Sequence, residues 1–105
     1  MKFDHVAVTS KCIQTSIDWY KNTFSHVVVE YADDTWAIID VNGLKLSFVS
    51  PKQHPPHTAF CITKEYAEAN LSDKKFKVHR DGTSSCYVND PDGNKIEWLI
   101  RGNDE

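Results

Sequence analysis

Four polar side chains interrupt apolar, β-prone runs of this 105-residue chain: His5 in "DHVAV", Ser47 in "LKLSFV", His57 in "PHTAF" and Glu97 in "KIEWLI". Glu97 makes the sharpest demand. An unpaired carboxylate in an apolar setting costs several kcal/mol or more, so it must lie on a solvated face or be held by a cation. Two imidazoles and a carboxylate converging from separate strands form the ligand set of an open metal site, with positions left for water or substrate. Whether these residues converge depends on the elements that carry them.

The hydrophobic pattern gives those elements in a regular order. "FDHVAVTS" alternates as a strand, and "IQTSIDWYKNTF" places Ile13, Ile17, Tyr20 and Phe24 on one helical stripe. "HVVVEY", "TWAIIDV" and "KLSFVS" read as three strands, separated by turns at Ala32-Asp33-Asp34 and Asn42-Gly43. After "PKQHPP", whose prolines resist both helix and mid-sheet pairing, the order begins again. "HTAFCI" is a strand, "KEYAEANL" a short helix, and "KKFKVH", "SSCYVN" and "NKIEWLI" are strands, the last preceded by an Asp92-Gly93 turn. Trp19 and Trp36 read as core or cleft-wall residues.

The restart is visible in the letters. "DHVAV" and "PHTAF" share a His-x-Ala-apolar pattern, and "NGLKLSFV" aligns with "DGNKIEWL", setting Gly43 over Gly93, Lys45 over Lys95 and Ser47 over Glu97. Two tandem βαβββ modules, 1–50 and 57–101, therefore make up one α+β domain over residues 1–105. In a pseudo-twofold arrangement the equivalent positions His5, Ser47, His57 and Glu97 face one another. Strand parity agrees, since Ala7 and Ala59 are small neighbours on the same faces as His5 and His57. Glu97 is thus expected to face a metal ion.

Composition narrows the function classes. A net charge of −3 with interspersed signs gives no basic stripe and argues against nucleic acid as a partner. Nothing resembles a signal peptide, and no apolar run approaches the roughly 18 residues of a membrane helix, so a soluble, cytoplasmic protein is expected. Cys12, Cys61 and Cys86 lack CxxC spacing, which argues against a disulfide framework and a thiolate zinc site.

The chain resembles the vicinal oxygen chelate superfamily of glyoxalases, fosfomycin-resistance enzymes, extradiol dioxygenases and bleomycin-resistance proteins. The resemblance runs through "DHVAV", "SIDWYKNTF", "PHTAF" and, most specifically, "YVNDPDGNKIEWL". It implies a curved mixed β-sheet around a cleft with the helices on its outer face. It also implies a divalent ion, Fe²⁺, Mn²⁺, Ni²⁺ or Zn²⁺, held by His5, His57 and Glu97. In metal-dependent members a fourth ligand, often glutamate or glutamine, comes from the position of Ser47. A serine there departs from glyoxalase I and favours the three-ligand pattern of ring-cleaving dioxygenases and fosfomycin enzymes.

Tyr87 and His79 are similarly placed to the tyrosine and histidine that orient and protonate substrate in extradiol dioxygenases. The plainer reading puts His79 and Arg80 on the surface beside the Asp81-Gly82 turn, and Tyr87 at a core margin. His54 lies close enough to His57 to support it by a hydrogen bond. Three functions fit these residues. One is a metal-dependent isomerase, lyase or ring-cleaving dioxygenase acting on a small oxygen-chelating substrate. Another is a metal-free drug-binding protein of the bleomycin-resistance type, and the third a structural module with a vestigial cleft. The short connection "SPKQHPP" and the resemblance both point to a homodimer.

Overall fold

The structure, a computed structural model, describes residues 1–101. Its elements run β1 (Lys2–Thr9), α1 (Ile13–Thr23), β2 (Val27–Ala32), β3 (Trp36–Val41), β4 (Leu44–Val49), β5 (His57–Cys61), α2 (Lys64–Asn70), β6 (Lys77–Val78), β7 (Ser84–Asn89) and β8 (Lys95–Ile100). The order βαβββ occurs twice, as the repeat predicts. The strands form one mixed sheet in the order β2-β3-β4-β1-β5-β8-β7-β6, an α+β architecture. The described residues divide into two units, His5–His57 and Met1–Asp4 with residues 58–101. No helix among the described residues is long and apolar enough to cross a membrane.

In the unit His5–His57, β1 runs parallel to β4 with Ala7 beside Ser47, while β3 pairs antiparallel with both β4 and β2. Alternation decides which side of these strands is buried. Ala37, Ile39 and Val41 of β3 join Leu46 and Phe48 of β4 in a core closed by Ile13 and Ile17 of α1. Tyr20, one turn further along α1, lies with its ring 5.1 Å from that of Phe48. His5, Ala7 and Ser47 have the opposite parity and face away from α1. The β3–β4 hairpin turns on Asn42 at φ 52° and Gly43 at φ 94°, the left-handed pair that a two-residue hairpin turn demands.

Neither Trp19 nor Trp36 lies in the core. Trp19 is 57% exposed because it sits two residues past Ile17, roughly 200° around the helix from the buried stripe. Trp36 is 40% exposed because its parity places it away from α1, where its ring packs 4.7 Å from that of Tyr31.

In the other unit, β7 pairs antiparallel with β8 and with β6. Trp98 contacts Tyr66 of α2 and Phe60 of β5, which turns the neighbouring Glu97 to the face opposite that helix. Thr63 caps α2 by accepting a bond from the Tyr66 N–H at 2.9 Å. Asp4 accepts from Arg101 Nη2 at 3.1 Å and from the Cys61 thiol at 3.2 Å. The strand expected at "KKFKVH" is only two residues long. Lys74 N–H turns back to the Leu71 carbonyl, which keeps the start of the run out of the ladder, and at its far end the His79 N–H bonds the Thr83 carbonyl at 2.7 Å, in register with the β6–β7 pairs, where the chain turns into β7.

Candidate metal centre

His5 and His57 meet across the sequence with their Nε2 atoms 3.3 Å apart and their rings edge to face. His57 is 8% exposed, and its Nδ1–H donates to the Pro55 carbonyl at 2.7 Å. That bond fixes the tautomer: with the proton on Nδ1, the Nε2 lone pair points toward His5. A ligand imidazole is commonly oriented by such a bond from its other nitrogen. Two imidazole nitrogens each about 2.1 Å from one ion, at a near-tetrahedral angle, lie about 3.4 Å apart. The observed separation therefore fits a shared ion without rearrangement.

Glu97 is 9% exposed on β8. His5 and His57 each offer an imidazole nitrogen, and Glu97 a carboxylate, as ligand atoms of the kinds a metal ion takes. Directly across the ladder from Glu97 stands Tyr87 of β7. Burial, and secondarily the Glu97 charge, push the Tyr87 phenol up to about 12. It therefore stays protonated at neutral pH and can serve as a hydrogen-bond donor or an acid, not as a base.

The other expected residues fall in distinct places. Ser47 is buried on the same face as Ala7 and donates its hydroxyl proton to the Ala37 carbonyl at 3.1 Å. His79 is half-buried, with Nε2 2.8 Å from the hydroxyl of Ser85, which has the same parity as Tyr87. It is thus held in place, while its neighbour Arg80 is exposed. His54 is exposed on the connecting loop, and the bond to His57 Nδ1 comes from the Pro55 carbonyl. Sequence reasoning missed Pro55 and Ser85 as supports. A backbone carbonyl carries no residue signal, and a lone serine within "SSCYVN" carries little.

No known family model matches the chain, and no curated protein is similar to it in sequence. Among solved structures it is similar to one named as an NAD-dependent benzaldehyde dehydrogenase from Legionella pneumophila, with 16% identity over 90% of this chain and 96% of that one, and a TM-score of 0.69. It is similar to a glyoxalase/bleomycin resistance protein/dioxygenase superfamily member from Vibrio splendidus 12B01, with 11% identity over 93% and 97% of the two chains and a TM-score of 0.66. A protein from Staphylococcus aureus gives 9% identity over 95% and 96%, also at 0.66. At such identities the likeness is one of fold.

Proposed function

We propose that this chain, which has the fold of the glyoxalase/bleomycin resistance protein/dioxygenase superfamily, is a divalent-metal-dependent enzyme whose ion is held by His5, His57 and Glu97. The observation that carries this reading is the Nε2 pair at 3.3 Å, with the His57 tautomer set by Pro55. Two neutral nitrogens and one carboxylate suit Fe²⁺, Mn²⁺, Ni²⁺ or Zn²⁺ and leave coordination positions for a substrate. When bound, such an ion supplies Lewis acidity to two oxygens of a small chelating substrate, a contribution of several kcal/mol.

The remaining work falls to the chain's own side chains. Glu97 contributes the negative charge that offsets the ion and, with His57, fixes its position. Ser47 keeps its proton on the Ala37 carbonyl and leaves three protein ligands. Tyr87, a phenol at all physiological pH values, donates a hydrogen bond toward the face that Glu97 occupies. His79, steadied by Ser85, is the second group assigned to substrate. These parts suit an isomerase, lyase or ring-cleaving dioxygenase, in each of which a positioned donor meets charge developing on a substrate oxygen. We place the protein in the cytoplasm, where the free thiols Cys12, Cys61 and Cys86 stay reduced.

A second reading rests on Tyr31 and Trp36. These half-exposed rings pack against each other, and Asp33 accepts from the Tyr31 hydroxyl, from Thr35 and from the backbone N–H of Trp36, which fixes the Tyr31 ring and the turn that carries Trp36. A preorganised aromatic pair suits capture of a planar drug without chemistry. Metal analysis of protein purified without chelators separates the two. About one divalent ion per chain supports the enzyme, and a protein that takes up none from any of the four metals belongs to the second reading.

A further inference from the structure

The sequence repeat sets Lys45 over Lys95, but the two lysines keep different company. Lys45 stands directly across the ladder from Asp40, lies 3.3 Å from its carboxylate and bonds Glu30 as well. Its charge is answered twice within the chain. Lys95 stands directly across from Asn89, a neutral amide, and among the described residues no carboxylate pairs with it. It is nonetheless half-buried. An ammonium so placed is left to take an anion from outside the chain.

Strand geometry puts this lysine beside Glu97. The two lie two residues apart on β8, so they share a face with Cα atoms about 7 Å apart. Tyr87 stands across from Glu97 as Asn89 stands across from Lys95. The Asp90 N–H bonds the Asn94 carbonyl at 2.9 Å, and by alternation from that bond both pairs are of the non-hydrogen-bonded kind, with Cα atoms about 4.5 Å apart and side chains close together. One face of β7–β8 therefore carries a carboxylate, a phenol, an amide and an ammonium as a compact patch.

We propose that Lys95 and Asn89 bind an anionic group of the substrate, a carboxylate or a phosphate, carried about 7 Å along the strand from the oxygens that chelate the ion. This rests on the reading of Glu97 as a ligand, and it narrows the substrate to a chelating molecule with a second, anionic end. The ammonium supplies charge and three rotatable donors, which suit either anion, and the Asn89 amide adds a donor from the facing strand. The chain carries a net charge of −3 and so repels an anion in general. A cation with no acid of its own beside Glu97 then decides where the far end of the substrate lies.

Calorimetric titration of the zinc-loaded protein tests this with 2-hydroxy acids that share one chelating pair and differ at the far end. That end is a carboxylate in 2-hydroxyglutarate, a phosphate in 3-phosphoglycerate and uncharged in 2-hydroxyvalerate. At least one of the first two should bind about 10-fold more tightly than 2-hydroxyvalerate, and the tighter of them tells carboxylate from phosphate. Lys95→Gln should remove that preference without lowering zinc affinity. Lys64→Gln makes the same change of charge at the start of α2, on the side of the sheet opposite Glu97, and should keep it. Zinc affinity is measured first and by itself, so a failure of the metal reading shows there. Should zinc not bind, glutarate or inorganic phosphate added to the metal-free protein should still shift the side-chain amide resonance of Asn89 in the wild type and not in Lys95→Gln. The proposal is overturned if the wild type takes the three acids alike, if Lys95→Gln keeps the preference, or if Lys64→Gln loses it equally. In a protein that takes up no zinc, it is overturned if neither anion moves the Asn89 amide or if the shift persists without Lys95.

Discussion

Replacing Glu97 by Gln is expected to remove the rise in melting temperature that a divalent ion should give the wild-type protein if the proposed site binds it. At free metal about 100 times its Kd, binding to the folded state alone adds about 2.7 kcal/mol. In a domain of this size that is a rise of roughly 10 to 20 °C. The amide keeps the shape of the side chain but not its charge, and a neutral oxygen does not offset a divalent ion beside two neutral imidazoles. The variant should therefore fail to respond when Mn²⁺, Fe²⁺, Ni²⁺ or Zn²⁺ is added. Equal rises in both proteins would remove Glu97 from the ligand set.

Phe48→Ala should cost about 3 to 5 kcal/mol in chemical denaturation, the usual range for emptying a buried aromatic position. Phe48 is 1% exposed and lies where α1 closes on β3 and β4, beside Tyr20 and among Ile13, Ile17 and Ile39. The same strand presents Ser47 on its other side, so the core that Phe48 fills fixes the surface on which His5 and Ser47 stand. Domains commonly hold only 5 to 15 kcal/mol in total, so this variant should lose a large share of its stability. A loss under about 1 kcal/mol would mean that α1 does not close the core as described.

Much of this architecture was legible in the letters, for physical reasons. Period-two alternation in "TWAIIDV" marks Ala37, Ile39 and Val41 as buried, and they are. His5 and His57 could be paired because a repeated βαβββ unit puts equivalent residues on equivalent strands, and a glutamate within "KIEWLI" shows by its charge that it needs a partner. What escaped depended on tertiary placement or on the backbone. Trp19 has the hydrophobicity of a core residue and the helical phase of a surface one, and phase prevailed. "KKFKVH" has strand-like composition, but the turn at Lys74 and the hairpin turn that follows His79 leave only two residues in the strand. Ser47 could be recognised as a departure from a ligand, yet its bond to the Ala37 carbonyl follows only from the β3–β4 register.

Metal ligation itself is read most directly at the imidazole nitrogens. Chelator-stripped, ¹⁵N-labelled protein titrated with Zn²⁺ and followed by long-range proton–nitrogen correlation reports each histidine separately. The expected result is that Nε2 of His5 and Nε2 of His57 both move to metal-bound shifts and saturate at one ion per chain. His57 Nδ1 should keep its proton, held by the Pro55 carbonyl, and His26, His54 and His79 should be unaffected. Unmoved Nε2 resonances of His5 and His57 at saturating zinc would contradict a metal centre at this place.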